Sequence, residues 1–270
     1  MRFQELLVLR QVNWDLWQLV CDVVRQHVYW ILKEFSHDPP AFLDMMRNTG
    51  SVISGSMTLI LLSDASFILG DIDLYVPAAC KDAVVAYLKV EGYRVINNRP
   101  IKRHHYSQQA LHRALRFSRE AIETPPVVNV LVAQDNGAIS PILDFDFSFI
   151  MNAITGYGII SLFPRMTLDK RGIINEDGYT SNQRIAKYLR RGFKFQTLTP
   201  PFNINSAIIS RYIKDRYSVF VPIKNNTKNT SEVWYVANKE TYTWGIKINR
   251  RKMLTIMSNV DSYLTSSSDS

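Results

Sequence analysis

The sequence predicts an α+β protein, with a helical segment near its N-terminal end and β-structure towards its C-terminal end. Residues 3–35 place apolar side chains at helical spacing, and Pro39-Pro40 ends that region because proline cannot continue a helix. Asp71–Val76 has strand alternation, with Asp71 and Asp73 on one face. Val127–Ala133 is rich in β-branched residues, which favour strands.

Other elements follow from local patterns. Helices are expected at Ala41–Arg47, Lys81–Glu91, Ser107–Ala121, Gln183–Arg191 and Ala207–Asp215. Further strands are expected at Tyr93–Ile96 and at Ile142–Phe149, the second with Asp144 and Asp146 on one face. These elements divide the chain into a helical N-terminal segment (1–50), a core (51–199) and a C-terminal α/β region with a frayed, Ser-rich tail (200–270).

Composition indicates an intracellular protein without a membrane span. Hydrophobic residues make up 46% of the chain, and 13 Phe, 13 Tyr and 5 Trp argue against disorder. The apolar run in the first ten residues is too short for a secretion signal. The two cysteines, Cys21 and Cys80, are too few for a disulfide framework or a zinc site.

Positive charge is concentrated in two stretches. The formal net charge is +8, yet six Lys or Arg residues lie between Arg99 and Arg119, and five lie between Tyr179 and Lys194, with no acid in either stretch. Solvated surfaces explain such stretches as well as phosphate contacts do. RNA or another polyanionic acceptor is therefore a candidate partner.

The acids and one Gly-Ser pair suggest a phosphate and metal site. Carboxylates two residues apart on a strand point the same way, as Asp71 and Asp73 do, and hard oxygen ligands of this kind suit Mg²⁺ or Mn²⁺. A third carboxylate from a neighbouring strand would let the site hold a second metal ion. Gly55-Ser56 fits a helix start, where backbone N–H groups can hold phosphates. Taken alone, Asp71-Ile72-Asp73 is equally well explained as a solvated strand face.

Together these motifs resemble the polymerase-β-like nucleotidyltransferase superfamily. Val52-Ile53-Ser54-Gly55-Ser56, followed by Asp71-Ile72-Asp73-Leu74, looks like the superfamily signature. Phe145-Asp146 with Asn152, Phe163–Leu168 and Arg184–Phe193 resemble a little-characterised branch found in fungi and large DNA viruses. The resemblance covers about Ser51 to Phe195.

The resemblance implies a nucleotidyltransferase fold, a mixed and mostly antiparallel sheet flanked by helices. It implies that Asp71, Asp73 and Asp146 are catalytic metal ligands and that Gly55 and Ser56 bind the NTP. Lys187 and Arg191 are candidates for further phosphate contacts.

The implied function is metal-dependent transfer of a nucleoside monophosphate from an NTP to a hydroxyl or phosphate acceptor, with release of pyrophosphate. One alternative is an inactive module of the same fold that binds nucleotide, nucleic acid or protein. Another is a glycosyltransferase that uses Asp71-Ile72-Asp73 for a nucleotide sugar, which would have a Rossmann-like sheet.

Overall fold

The structure is a computed structural model that describes residues 1–100, 111–120, 125–134, 137–175, 181–196, 208–212, 218–223 and 243–247. Its helices are α1 (Phe3–Leu9), α2 (Trp14–Leu32), α3 (Pro39–Thr49), α4 (Ser56–Ser63), α5 (Lys81–Val90), α6 (Ser140–Leu143), α7 (Pro164–Leu168) and α8 (Asn182–Arg190). Its strands are β1 (Val52–Ser54), β2 (Asp71–Val76), β3 (Arg94–Pro100), β4 (Leu111–Ser118), β5 (Val127–Ala133), β6 (Asn152–Thr155), β7 (Gly158–Ser161), β8 (Arg171–Gly172), β9 (Lys194–Phe195), β10 (Ile208–Tyr212), β11 (Val219–Pro222) and β12 (Thr243–Lys247).

Eight strands form the main sheet, in the order β11-β7-β6-β1-β2-β5-β4-β3. Its neighbouring strands are antiparallel, apart from β2 and β5, which run parallel. Two smaller sheets pair β10 with β12 and β8 with β9. The predicted α+β class, with a mixed, mostly antiparallel sheet flanked by helices, is confirmed. This sheet differs from the largely parallel sheet that the glycosyltransferase alternative requires.

The two faces of the sheet bury different partners. Ile72, Leu74 and Val76 of β2 belong to the core shared with the N-terminal helices α1–α3. Tyr75, on the opposite face, belongs to a second core that contains the aromatic side chains of residues 147–195. Because strand residues alternate between faces, Asp71 and Asp73 lie on the side of this second core. The N-terminal helices therefore cover the face that carries no candidate site residue of β2.

Several predicted elements are confirmed. The strands Asp71–Val76 and Val127–Ala133 are found with the predicted bounds, as β2 and β5. The helices predicted at Lys81–Glu91 and Gln183–Arg191 are α5 and α8. Within the described residues, no helix is both long enough and apolar enough to cross a membrane.

Three predicted elements are wrong. The described part of the helix predicted at Ser107–Ala121 is strand β4, and the helix predicted at Ala207–Asp215 contains strand β10. The strand predicted at Ile142–Phe149 is a short helix, α6, followed by a turn of 3₁₀ helix at Ser148–Ile150. Asp144 and Asp146 are therefore not neighbours on a strand face.

The proposed division into 1–50, 51–199 and 200–270 remains a prediction. Helices α1–α3 share their core with the sheet, and β11, from the third segment, pairs with β7 in that same sheet. The predicted Ser-rich tail lies outside the described residues.

Candidate active site

Asp71 and Asp73 lie side by side on β2 and share one hydrogen-bond donor. Asn129 of β5 stands opposite Asp73 in the parallel register. Its Nδ2 donates to Asp71 Oδ2 and to Asp73 Oδ1, both at 2.9 Å. One amide group thus fixes the orientation of both carboxylates.

Gly55 brings the start of α4 against this pair. It is the N-cap residue of α4, with φ +77° and ψ −137°, a conformation that favours glycine. A Cβ atom at Gly55 would lie 2.9 Å from Asp73 Oδ2. The absence of a side chain therefore allows the helix N-terminus, with its unbonded N–H groups, to approach the carboxylates.

Arg191 connects the C-terminal end of α8 to the first residue of α4. Its Nη1 donates to Ser56 Oγ at 2.9 Å, and its guanidinium lies 3.8 Å from the centroid of the Phe67 ring. Stacking on an aromatic ring and a hydrogen bond together hold a cationic group beside the proposed phosphate-binding helix start.

Helix α8 turns a basic face towards the acids. Arg184, Lys187 and Arg191 follow at spacings of three and four residues, which places them on one side of a helix. Arg184 and Lys187 both act electrostatically on Asp73, and Lys187 acts on Asp71 as well. The site therefore combines two carboxylates with a row of cations.

Packing of aromatic rings positions α8. Tyr188 contacts both Phe147 and Phe149 edge-on, at centroid distances of 5.3 and 5.0 Å. Phe149 also stacks on Phe193 at 4.5 Å. These buried side chains fasten the helix to the segment that carries Asp146, so that the basic face has a fixed direction.

Asp146 is buried and ion-paired with α8. Its Oδ1 accepts a hydrogen bond from Arg184 Nη2 at 2.8 Å, while its backbone carbonyl accepts one from Asn175 N. The Asp146 side chain is only 1% exposed, whereas that of Arg184 is 33% exposed. Arg184 consequently links Asp146 to the vicinity of Asp73.

The pKa values of the site reflect crowding of like charges and burial. Burial is the main reason that the pKa of Asp73 is raised to about 6, and the neighbouring Asp71 raises it further, while Asn129, Lys187 and Arg184 act against the shift. Lys187 is an exposed residue as a whole. Its amine is nevertheless partly desolvated, and this desolvation, together with the nearby Arg191, lowers the pKa of Lys187. The ionised form of Asp73 is thus held at an energetic cost in the absence of a cation.

The two carboxylates fit a hard divalent cation. They offer neighbouring oxygen ligands, and Mg²⁺ commonly takes one or two carboxylates and completes its shell with waters and phosphate oxygens. A bound cation would also offset the burial and the repulsion from Asp71 that together raise the pKa of Asp73. Asp71 and Asp73 would hold such an ion.

The structure brings together most of the residues singled out from the sequence. Gly55 lies against Asp73, and Asn129 joins Asp73 to Asp71. Ser56 is bonded to Arg191, and Lys187 acts electrostatically on both acids. Asp146 is joined to this group through Arg184, and no three Asp, Glu, His or Cys side chains of the described chain come close enough to hold one metal ion. The predicted third carboxylate is therefore not seen beside the pair.

The sequence patterns did not predict the roles of two residues of the site, Asn129 and Arg184. Asn129 is one polar residue in the apolar strand Val127–Ala133, and only strand pairing shows that it faces the acids. Arg184 was counted among the basic residues, but its bond to Asp146 depends on contacts across 38 positions of sequence.

Comparisons with known proteins give distant structural likenesses. No protein-family model and no curated protein matches the sequence. The backbone is similar to apo form I of a CCA-adding enzyme, with 16% identity, a TM-score of 0.39 and coverage of 63% of this chain and 42% of that one. A complex of CCA-adding enzyme with ATP gives 15% identity, a TM-score of 0.38 and coverage of 73% and 42%. A tRNA-processing enzyme with CTP gives 16% identity and a TM-score of 0.34, with coverage of 54% of this chain and 40% of that one. This chain thus spans less than half the length of each of these proteins.

Proposed function

We propose that this protein transfers a nucleoside monophosphate from an NTP to a hydroxyl or phosphate acceptor and releases pyrophosphate. The observation that carries the proposal is the meeting of three features at one place. The Asp71–Asp73 pair lies against the N-terminus of α4 at Gly55, and the basic face of α8 lies beside it. A cation site next to an anion site is what a metal-bound triphosphate requires.

Each part has a separate task in this proposal. The N–H groups at the start of α4 and the Ser56 hydroxyl would receive the phosphate tail, because a helix N-terminus carries partial positive charge. Arg191 already contacts Ser56 and, with Lys187, would neutralise phosphate charge. Asp71 and Asp73 would hold Mg²⁺ or Mn²⁺, and Asp146 would contribute by orienting Arg184.

The reaction is a displacement at the α-phosphorus. The acceptor oxygen forms a bond to the α-phosphorus, the bond from that phosphorus to the bridging oxygen of the β-phosphate breaks, and the acceptor proton passes to solvent. The cation, when bound, neutralises developing charge on the phosphates. The chain itself contributes orientation, through the helix start and the α8 cations.

The motifs and the site together favour membership of the polymerase-β-like nucleotidyltransferase superfamily, in the branch found in fungi and large DNA viruses. Gly55-Ser56 and Asp71-Ile72-Asp73 resemble the superfamily signature, Arg184–Phe193 resembles a segment of that branch, and these segments are neighbours in space. RNA is the acceptor to test first, because positive charge borders the site.

The test is incubation of the protein with each α-labelled NTP, Mg²⁺ or Mn²⁺ and a pool of RNA, while pyrophosphate is measured. We expect label on one acceptor class and an equal amount of pyrophosphate.

Asp73→Asn should reduce the rate of transfer by about 100-fold or more, because a metal ligand is lost. Lys187→Glu should weaken NTP binding, whereas Lys194→Glu, an equal charge change outside α8, should not.

A second candidate is a binding module without turnover. One observation favours it: Asn129, and not an acid, faces the pair from the neighbouring strand. NTP binding that depends on Lys187, with no pyrophosphate released from any NTP, would support this candidate and contradict transfer.

A further inference from the structure

Asn129 occupies the position on β5 that faces the two carboxylates. It is paired in register with Asp73 across the parallel β2–β5 ladder, and it is half-buried. The sheet therefore points its amide directly at the site that the proposed function assigns to a cation.

The chemistry of the contacts fixes the direction of the amide. Ionised carboxylates only accept hydrogen bonds, so the NH₂ end of Asn129, and not its oxygen, must face Asp71 and Asp73. Both N–H groups are then directed at Asp71 Oδ2 and Asp73 Oδ1. The other oxygen of each carboxylate, Asp71 Oδ1 and Asp73 Oδ2, remains for ligation.

This arrangement limits how many cations the pair can hold. Two metal ions about 3.5–4 Å apart need carboxylates that bridge them, together with further anionic ligands. Here the side chain that could supply a third carboxylate from β5 is a neutral amide whose N–H dipoles repel cations. Asp146 is bonded to Arg184, and no group of three acidic, His or Cys side chains in the described ranges could hold one metal ion.

We propose that Asn129 is a positioning residue that holds Asp71 and Asp73 around one divalent cation and prevents a second cation from binding. The proposal rests on the proposed function only in taking Asp71 and Asp73 as the metal ligands. The positive charge that a second ion would supply comes instead from the cationic side chains of α8, because Lys187 and Arg184 already act electrostatically on Asp73. A partner acting on metal ligands in this way commonly changes metal affinity by about 10–100-fold when it is removed.

The experiment counts Mn²⁺ ions on the full chain by calorimetry and by electron paramagnetic resonance of unbound Mn²⁺, in the presence of a non-hydrolysable NTP. The Asp71→Asn/Asp73→Asn double variant gives the number bound elsewhere, which is subtracted. We expect one ion for the wild type and two for Asn129→Asp. Asn98→Asp, an equal charge change at an exposed residue of β3, should keep one.

A fourth variant covers the case in which Asn129→Asp does not fold. Asn129→Leu keeps the size of the side chain but removes the donor, and we expect one ion with about tenfold weaker affinity. Two ions on the wild type, an unchanged count in a folded Asn129→Asp, or unchanged affinity in Asn129→Leu would each overturn the inference while leaving transfer possible. Binding of no ion to the wild type would contradict both this inference and the proposed metal-dependent function.

Discussion

Gly55 combines a φ of +77° with a close approach to Asp73, so we expect Gly55→Ala to be destabilising for two reasons. The added Cβ would lie 2.9 Å from Asp73 Oδ2, and the backbone conformation is strained for any residue with a side chain. We expect a loss of about 2–4 kcal/mol in the free energy of unfolding, measured by urea denaturation.

Gly192 provides the matched control for Gly55. It also has a positive φ, +80°, but a Cβ at Gly192 would meet no atom within 4 Å. Gly192→Ala should therefore cost only the conformational strain, about 1 kcal/mol. Equal losses in the two variants would contradict the close approach of Gly55 to Asp73.

Asp73 should make the metal-free protein less stable as the pH rises. Burial raises its pKa from 3.8 to about 6, so the folded state binds the proton more tightly than the unfolded state. The stabilisation is then complete below about pH 4 and is lost as the pH rises through about 6. Asp73→Asn should be the more stable protein at pH 7 by about 1–3 kcal/mol, with the advantage shrinking towards pH 4, in thermal unfolding with chelator.

The control for this pH dependence is Asp82→Asn, which removes a carboxylate from the exposed surface of α5. Its stability should follow that of the wild type across the same pH range. The stability difference between Asp73→Asn and the wild type should change between pH 4 and 7. If it stays constant, Asp73 has an ordinary pKa in the folded protein.

Residue patterns predicted the carboxylate pair because Asp71 and Asp73 lie two positions apart in one strand. Gly55 and Ser56 were predicted because a Gly-Ser pair followed by an apolar run is typical of a helix start. Asn129 could not be predicted, since its role depends on which strand lies beside β2 and in which register. That pairing spans more than 50 residues and leaves no local signal.

Among the secondary-structure elements, the segment carrying Asp146 and helix α8 act as a unit. We expect Asp146→Asn to weaken NTP binding without changing the number of Mn²⁺ ions, because the Asp146 carboxylate bonds to Arg184. Loss of the charge partner should also cost about 1–3 kcal/mol of stability. Calorimetric titration with Mn²⁺ and with an NTP analogue separates these effects.

A double variant with Arg184→Gln tests whether Asp146 acts through that arginine. If it does, adding Asp146→Asn to Arg184→Gln should weaken NTP binding little further, since the shared interaction is already lost. Loss of a Mn²⁺ ion in Asp146→Asn alone would instead identify Asp146 as the metal ligand that the sequence predicted.

The secondary structure was predicted correctly where apolar residues recur at regular spacing along the sequence. It was predicted wrongly where that spacing is interrupted. In β4, a register shift between Leu111 and Arg113 places the buried residues at Leu111, Leu115 and Phe117, and the first two have the spacing of a helix. The segment before Phe149 is buried at nearly every position, so it has no period that distinguishes strand from helix. Strand β10 is held by β12, about 35 residues further on, and that long-range pairing overrides local preference.

Across the whole molecule, the site continues as a polar row over neighbouring strands. Ser54, Asp73, Asn129 and Arg116 are register partners in turn on β1, β2, β5 and β4, which places them on one face of the sheet. Arg116 is exposed, whereas Arg119 is paired with Glu91 at 3.6 Å and lies over the Tyr93 ring. Within the first basic stretch, Arg116 is thus the better placed to meet an acceptor.

If the acceptor is RNA, Arg116→Glu should weaken RNA binding and lower the slope of log affinity against log salt by about one or more, because a phosphate contact is removed. Filter binding at several salt concentrations measures this. Lys33→Glu, the same charge change on the helical side of the sheet, is the control. Equal RNA affinity for Arg116→Glu and the wild type would favour a protein or small-molecule acceptor.

The pairing of β11 at the edge of the sheet has a consequence for synthesis of the chain. Arg10 donates to the carbonyl of Phe220, 210 positions away, and Arg25 donates to that of Ile223, 198 positions away. While the ribosome is still translating, α1 and α2 therefore lack the strand against which their arginines are bonded, and β7 is an open edge. Contacts between such distant residues form slowly. Nascent chains that end before β11 should thus depend on chaperones to keep that edge from associating with other chains.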